Sequence, residues 1–456
     1  MSYRATRPAR PIVRRNWFAA TAAAAAGLLL AACGSAAGGG KASSTSSSGG
    51  ASGSTVTMWL VTTGPSPANT AVQNLVSSFE KSHPGDNITI NFVENQSFKQ
   101  KIQLAMGAGN PPTIFWSWGG GTLQQFIKAG DVQSLGSRPA WADAFLPSSL
   151  GAVTYNGQLY GVPVEGTQPV YFFYNKPVFS RYHLTFPTTW TGLLSVISTL
   201  KSHGVTPISL ANGDQWPGLM YLEYLTDRIG GPSVAQALQS NTRGGWSNPA
   251  VTQALTDIQQ LAKAGAFQSG YDSLKFSGGG SDALVYSGKA AMQLMGDWDI
   301  SSILGSNASF VNSGNLGMAP FPTVPGGNGD PADLAGNTAS YVAISSRASA
   351  AQKKIAESFF QDALTSTDYA KAEVAAGEVP VTKGAAPLFG GQQLASYDAT
   401  IYNSVQSAPS FQYSWDQAMT PTVANVMLTN LAQVFELTQT PAKFETLLNS
   451  QAASGA

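Results

Sequence analysis

Segments typical of strands and of helices alternate in the region that begins near Thr55, and this alternation constrains the fold more than any other feature. Residues 56–61, 88–93 and 113–116 are apolar or alternating runs typical of strands. Between the first two, apolar side chains recur at the spacing of one helix face: Val72, Leu75, Val76 and Phe79. Residues 98–106 have the pattern of a second helix. Strands separated by helices imply a parallel sheet covered on both faces, so the sequence predicts an α/β fold.

The same patterns continue to the end of the chain. Residues 170–174 form another strand-like run, and apolar periodicity predicts helices over 250–264, 350–364 and 421–436. About four hundred residues follow Thr55, which is too long for one core and suits two domains. The chain has a single cysteine, so no disulfide can form within it and a large core must hold the fold.

The single cysteine, Cys33, follows a segment with the layout of a secretory signal. A basic head with five arginines and no acidic residue precedes an alanine- and leucine-rich run, and small residues precede the cysteine. The run is too short and too rich in alanine to favour a membrane span, which needs ~20 apolar residues. Residues 30–33 resemble the lipobox of bacterial lipoproteins, in which the cysteine is acylated and the signal is removed before it. An ordinary signal peptide is the alternative.

We therefore expect residues 1–32 to be a signal peptide and Cys33 to anchor the chain at the extracytoplasmic face of the cell membrane. Residues 14–18 loosely resemble a twin-arginine export signal, so both export routes stay open. Residues 33–54 are the lipidated cysteine and a Gly/Ser/Thr-rich tract that predicts a flexible tether.

Composition points to a neutral ligand. The chain has 25 Lys+Arg and 25 Asp+Glu; without the five arginines of the basic head, 20 basic residues face 25 acidic ones, a net charge near −5. This argues against nucleic acid, which needs a basic patch. Charged residues make up only 11%, beside 10 Trp, 15 Tyr and 21 Phe, a balance that suits neutral, hydroxylated ligands.

No catalytic or metal motif stands out. The histidines His83, His183 and His203 lack the spacing of zinc ligands, and neither a Gly-x-Ser-x-Gly elbow nor a phosphate loop occurs. We expect no cofactor, no metal and no enzymatic activity. Three alternatives stay open: a glycoside hydrolase, which needs only two flanking carboxylates, a binder of another small solute class, and an adhesin or sensor ectodomain built on the same fold.

Five segments in register resemble one family. Pro111 and Pro112 open a P-P-T-I-F-W run similar to the family pattern P-D-I-x-x-W, with Thr113 in place of Asp. The second segment is an N-G-Q-L-Y-G-V-P-V-E hairpin at residues 156–165. The third combines Y-N-K at 174–176 with P-T-T-W at 187–190, and the fourth runs from Y-S-G-K-A-A-M to G-D-W over 286–298. The fifth is G-E-V-P-V at 377–381. Together they resemble the extracellular solute-binding proteins of carbohydrate ABC importers, of the maltose-binding-protein-like type.

The resemblance implies a two-lobed periplasmic-binding-protein-like fold of type II, with a ligand cleft between α/β lobes joined by several crossovers. It places the N-terminal lobe at 55–163 plus 320–375 and the C-terminal lobe at 164–319 plus 376–456. It further implies a monomer that captures an oligosaccharide and delivers it to the membrane permease subunits of an ABC importer.

A sugar offers apolar C–H faces to aromatic rings and hydroxyl groups to polar side chains. Trp116 lies at the carboxyl end of a predicted parallel strand, where open α/β sheets bind ligands. It matches a sugar-stacking position of the family, and Trp118 follows two residues later. Trp298 matches the aromatic plate of the other lobe. Its neighbours Asp297 and Asp299 either bind hydroxyl groups or cap the helix that follows.

The resemblance implies further ligand contacts at Glu165, Asp214, Trp216 and Trp415. Glycines 119–121 either expose backbone N–H groups or admit a sugar ring. The Trp-Ser-Trp-Gly-Gly-Gly loop looks most like binders of short plant-derived oligosaccharides, such as xylo- or raffinose-type sugars. The remaining tryptophans of the mature chain are predicted to pack in the core or lie on the surface: Trp59, Trp141, Trp190 and Trp246.

Overall fold

The computed structural model describes residues 55–389 and 394–453. The predicted signal peptide, Cys33 and the predicted tether lie outside these residues. Within the described ranges, no helix is long and apolar enough to cross a membrane.

The described strands are, in chain order, β1 (Thr55–Thr62), β2 (Asn87–Glu94), β3 (Ile114–Ser117), β4 (Thr154–Tyr155), β5 (Gln158–Leu159), β6 (Val162–Glu165), β7 (Gln168–Asn175), β8 (Thr206–Ser209), β9 (Ala290–Gly296), β10 (Leu316–Ala319), β11 (Leu334–Asn337), β12 (Ser340–Ile344) and β13 (Phe411–Tyr413).

The described α-helices are, in the same order, α1 (Pro67–Ser82), α2 (Asn95–Gly107), α3 (Gly120–Lys128), α4 (Lys176–Arg181), α5 (Trp190–Ser202), α6 (Trp216–Gly230), α7 (Pro232–Gln239), α8 (Pro249–Ala264), α9 (Gly280–Tyr286), α10 (Trp298–Asn312), α11 (Ala350–Ser358), α12 (Thr367–Ala375), α13 (Ala395–Ser407), α14 (Trp415–Ala418), α15 (Pro421–Phe435) and α16 (Pro441–Ala453). The helix predicted over 350–364 ends at Ser358 and continues as a π-helical turn, Phe359–Ala363.

The first lobe is built on a five-stranded sheet in the order β2-β1-β3-β12-β6. The three strands predicted from the alternating pattern are parallel, whereas β12 and β6 are antiparallel to their neighbours. Helix α1 buries the predicted apolar face against this sheet, and Ser66 caps its start by accepting a hydrogen bond from the Asn69 N–H at 3.2 Å. The α/β prediction is confirmed.

The second lobe is built on a six-stranded sheet, β13-β11-β7-β9-β8, with β10 paired to β7. All but one of the residues of β7 are buried, as expected for a central strand covered on both faces. Phe321 stacks between Tyr224 and Phe172 with ring centroids 4.8 Å and 5.7 Å away. These rings join α6 to the sheet and form the centre of the second core.

Three chain crossings connect the lobes: residues 165–168, 337–340 and 369–379. The first two lie side by side, with Gln168 paired to Asn337 and Glu165 paired to Ser340. In the third, Tyr369 packs in the first core and Val379 in the second. The two-lobed, multiply crossed architecture is as predicted.

One predicted lobe boundary requires correction. Residues 320–337 were assigned to the N-terminal lobe, but Phe321, Leu334 and Ala335 pack in the second core. Strand β11 pairs with β7 and β13, both in the second sheet, and the chain enters the first core only at Ala339. The crossing therefore lies at 337–340, because hydrogen bonding to β7 holds β11 in the second lobe.

Candidate ligand-binding site

A cavity of about 910 Å³, including its open mouth, lies between the two lobes. Five of the eight ligand-contact residues predicted from the sequence line it: Trp116, Trp118, Glu165, Trp216 and Trp298. The first lobe contributes Trp116 and Trp118, the second contributes Trp216 and Trp298, and Glu165 lies on the first chain crossing. Both lobes thus present a pair of tryptophans to the same space.

The first pair stands at the carboxyl end of β3, as predicted. Trp116 is the third residue of that strand, and Trp118 follows it in the loop before α3. Their ring centroids are 6.1 Å apart and the rings are steeply inclined, at 74°. Phe98 of α2 packs edge-on against Trp118 at 5.9 Å. The Trp116 Nε1–H is buried and has no hydrogen-bond partner among the described residues.

The second pair stands at the first residues of two helices. Trp216 begins α6 and Trp298 begins α10, and their ring centroids lie 6.0 Å apart. Gly296 is needed beside Trp298, because a Cβ at that position would lie 2.0 Å from the Trp298 ring. Asp214 supports the loop before Trp216, since its Oδ2 accepts a hydrogen bond from the Phe276 N–H at 2.8 Å.

Polar groups from all three chain crossings form one wall of the cavity. Ser340 Oγ donates to Gln168 Oε1 at 3.1 Å, and Gln168 Nε2 donates to Glu165 Oε2 at 3.3 Å. Asn337 Oδ1 and Glu378 Oε2 are buried without a hydrogen-bond partner among the described residues. A buried polar atom left unpaired is costly. These two atoms therefore mark where a ligand's hydroxyl groups would be stabilised.

The carboxyl groups of this wall hold their protons unusually strongly. Burial raises the pKa of Glu165 to about 7, although the hydrogen bond from Gln168 opposes the shift. Burial, and then the charge of Glu165, raise the pKa of Glu378 well above its ordinary range. A protonated carboxyl group can donate one hydrogen bond and accept another. This wall can therefore pair with hydroxyl groups of a neutral ligand in both directions.

More carboxyl groups are buried behind the wall. Burial raises the pKa of Asp398 to about 8. Burial and the nearby charge of Asp398 raise the pKa of Asp297 well above its usual value, and burial and Glu165 do the same for Glu373. In the described ion pairs none of these carboxyl groups meets a cation. Protonation is therefore the way in which this cluster avoids uncompensated charge.

The mouth of the cavity carries polar side chains that the sequence analysis missed. Asn69 Nδ2 donates to Thr62 Oγ1 at 2.9 Å, and Asn95 Oδ1 is buried without a partner among the described residues. Lys99 Nζ donates to Asp416 Oδ2 of the other lobe at 3.3 Å and lies 5.4 Å from the centre of the Trp118 ring. Asn95 directly follows β2, so the carboxyl-end rule that found Trp116 applies to it too.

Glycines 120 and 121 accommodate the other lobe rather than a sugar ring. A Cβ on Gly120 would lie 2.2 Å from the Gln417 carbonyl oxygen, and one on Gly121 would lie 2.1 Å from that of Met419. The third glycine, Gly119, approaches the Ala152 backbone within its own lobe. The start of α3 thus touches the segment around α14 backbone to backbone.

The lobes also touch where the loop before α9 meets the ends of β1 and β2. The Gly278 N–H donates to the Thr63 carbonyl at 2.7 Å, and Ser277 Oγ donates to Glu94 Oε1 at 2.8 Å. The lobes are therefore in contact at two separate places along the chain.

Three predicted contacts do not line the cavity. Asp214 braces its loop, and Asp299 is buried, where its Oδ2 accepts from Gln293 Nε2 at 2.6 Å. Trp415 is fully buried against Trp246, with ring centroids 6.0 Å apart. The one-turn helix α14 directs Trp415 into the core, so its neighbours reach the cavity instead: Ser414, Asp416 and Gln417.

The four tryptophans predicted to pack or lie on the surface stay away from the cavity. Trp141, Trp190 and Trp246 are buried in the two cores, and Trp59 is half-buried beneath Lys101 Nζ at 4.3 Å from its ring centre. No group of three or more histidine, cysteine or acidic side chains in the described ranges is arranged to hold a metal ion.

Known proteins share the sequence pattern and the architecture of this chain. A model of the bacterial extracellular solute-binding protein family matches residues 63–371. A solved structure from work on xylan utilisation by the thermophilic bacterium Caldanaerobius polysaccharolyticus is 29% identical, with a TM-score of 0.78 over 87% of this chain and 99% of that chain. A chitin oligosaccharide binding protein is 25% identical, with a TM-score of 0.77 over 88% of this chain and 98% of that chain.

A curated relative from Pyrococcus horikoshii, described as an uncharacterised ABC transporter extracellular-binding protein, is 28% identical over 50% of this chain and 52% of its own length. The chain spans about half the length of the curated relatives that it matches.

Proposed function

The chain belongs to the family of bacterial extracellular solute-binding proteins, and on that premise we propose that it captures a neutral oligosaccharide in the cavity between its lobes. The observation that carries this proposal is the pair of tryptophans that each lobe presents to one cavity. Flat aromatic faces pack against the C–H faces of sugar rings, and the polar wall and mouth supply partners for hydroxyl groups.

The charges of the cavity support a neutral ligand. Lys99 is the one cationic side chain among the described lining residues, and it is already paired with Asp416. An amino acid or another carboxylate would call for a free arginine or lysine. The remaining lining groups that can ionise, Glu165 and Glu378, have raised pKa values, so they stay neutral to higher pH than ordinary carboxyl groups.

Capture of the sugar without cleavage fits the same geometry. A glycoside hydrolase places one carboxyl group on each side of the scissile bond. Glu165 and Glu378 lie near neighbouring chain crossings, where the Thr167 N–H donates to the Val379 carbonyl at 3.0 Å, and we assign both to binding because the family is one of solute-binding proteins. The third lining carboxylate, Asp416, is held by Lys99. Two similar structures, one from work on xylan utilisation and one of a chitin oligosaccharide binding protein, also favour a saccharide.

The proposal extends to the place of the protein in transport. The chain acts as a monomeric receptor, held at the extracytoplasmic face of the membrane through acylated Cys33, and it delivers its sugar to the permease subunits of an ABC importer. The predicted tether behind Cys33 gives the lobes reach between free ligand and permease.

A thermal-shift screen tests the proposal. Neutral saccharides of one to six units, amino acids and polyamines are compared, because a ligand at 100 times its Kd stabilises the folded protein by ~2.7 kcal/mol. We expect stabilisation by a saccharide alone, and chromatography of the same mixtures should show it uncleaved. Stabilisation only by amino acids or polyamines, or appearance of shorter sugars, would contradict the proposal.

A further inference from the structure

The cavity continues past the Lys99–Asp416 ion pair into a second space, which we call the outer groove. It has a volume of about 1570 Å³, including its open mouth, and shares five lining residues with the central cavity: Lys99, Trp116, Trp118, Asp416 and Gln417. Its walls are α2 and α3 from the first lobe and the start of α15 from the second. The two spaces therefore meet around Trp118 and the ion pair.

The outer groove is neutral and rich in amide groups. Apart from Lys99 and Asp416, which pair with each other, no ionisable side chain is among its described lining residues. Side-chain amides line both walls: Gln96, Gln100, Gln103, Gln125, Gln417 and Asn425. An amide both donates and accepts hydrogen bonds, which suits hydroxyl groups and offers no attraction to a charged polymer.

Apolar surface lies between these amides. Leu104 is 74% exposed, the most exposed large hydrophobic side chain in the described ranges, and it lies one turn after Gln100 on α2. Trp118, which reaches both spaces, is half-buried. The outer groove therefore offers apolar surface to the C–H faces of sugar rings and amide groups to their hydroxyl groups, as the central cavity does.

We propose that the outer groove is a second saccharide subsite. It receives the units of a linear, neutral oligosaccharide that extend past Trp118 from the central cavity. This inference rests on the proposed function. Its consequence is that affinity rises with chain length beyond the number of units that the central cavity holds, and that the extra affinity depends on outer-groove amides from both lobes.

The test uses calorimetric titration of the mature protein with xylo-oligosaccharides and chito-oligosaccharides of two to six units. The double variant Gln103→Ala/Asn425→Ala removes one amide from each wall. Both positions lie inside helices, where alanine is well tolerated, and neither side chain makes a hydrogen bond described in the structure. Gln73→Ala, at an exposed position of α1 away from both spaces, is the matched control.

For the series that binds, we expect the double variant to lose about tenfold in affinity for the longest chains, the effect of two hydrogen bonds. Its affinity for the disaccharide should stay within about twofold of the original protein, and the control should match the original at every length. Wild-type affinity that stops rising at the disaccharide, or an unchanged affinity of the double variant for long chains, would overturn the outer subsite while leaving the central site intact. If neither series binds at any length, the outer subsite is overturned as proposed, and the thermal-shift screen decides the proposed function separately.

Discussion

Replacing Gly121 by alanine should weaken ligand binding although the new methyl group lies outside the ligand cavity. In the structure, a Cβ at this position would lie 2.1 Å from the Met419 carbonyl oxygen and 2.4 Å from its carbonyl carbon. Ordinary contacts between such atoms need about 3.5 Å. The start of α3 and the segment after α14 would therefore have to separate by more than ~1 Å. Because they belong to different lobes, the variant opposes the approach of the lobes around a ligand.

The magnitude follows from the kind of clash. Forcing one extra carbon into a close-packed contact costs about 1–3 kcal/mol, and each 1.4 kcal/mol is a tenfold change in Kd. We expect the Kd of Gly121→Ala to rise between about 5-fold and 150-fold. The ligand-free protein should keep its melting temperature or gain slightly, because alanine favours a helix over glycine by up to ~1 kcal/mol and separated lobes do not feel the clash.

Calorimetric titration gives the Kd, and a thermal melt without ligand gives the stability. Gly151→Ala is the matched control in the same lobe, because a Cβ there would meet nothing within 4 Å. Small-angle scattering should show that ligand compacts the original protein and compacts the Gly121→Ala protein less. An unchanged Kd would refute the reasoning. A large loss of ligand-free stability would show instead that this contact is permanent and does not report on lobe approach.

Three further predictions concern pH, packing and anchoring. Burial raises the pKa of Asp398 to about 8 and that of Glu165 to about 7, so the folded chain keeps protons that the unfolded chain releases near pH 4. The stability that these protonated groups contribute is complete below pH 4 and is lost as pH rises through 7 and 8. Asp398→Asn removes one of them, so its melting temperature should fall less steeply with pH over 5.5–8.5 than that of the original protein. Trp190→Ala removes a ring stacked 6.1 Å from Phe321. It should lower the free energy of unfolding by about 3–5 kcal/mol and leave the Kd of the folded fraction unchanged. Loss of sugar affinity in the folded variant would contradict the assignment of Trp190 to packing. Cys33→Ala should release the protein from membranes on fractionation without changing its sugar affinity, and membrane retention at the original level would contradict the lipid anchor.

Much of the first lobe could be predicted because its strands follow two simple patterns. β1 and β2 largely alternate buried with more exposed residues, β3 is a short run buried on both faces, and α1 keeps one apolar face, so these elements can be predicted from local sequence. The assignment of 320–337 failed for a physical reason. A short strand such as β11 carries no local signal of which sheet it joins, since its partners β7 and β13 are distant in the chain.

Some residues of the candidate site could likewise be predicted from the sequence and others could not. Trp116 lies near the end of a strand that local sequence predicts, whereas Trp298 was predicted from the family resemblance; both line the cavity, and their contact with a ligand stays a prediction. Of the polar wall, Glu165 was predicted, but Gln168, Asn337 and Ser340 were not, because they come from two distant chain crossings and meet only in the folded protein. Trp415 failed because sequence does not reveal which way a one-turn helix such as α14 directs its side chains.

Aromatic faces from both lobes are proposed to hold a neutral saccharide, and calorimetric titration of Trp298→Ala tests this proposal. The titrant is the saccharide that most stabilises the original protein in the thermal-shift screen. We expect one-to-one binding by the original protein and a Kd raised at least about 30-fold by the variant, the usual effect of losing a buried aromatic anchor. The variant should stay folded, because the Trp298 ring is only half-buried in the cavity wall. A folded Trp298→Ala protein that binds the saccharide as tightly as the original would contradict the proposed role of Trp298.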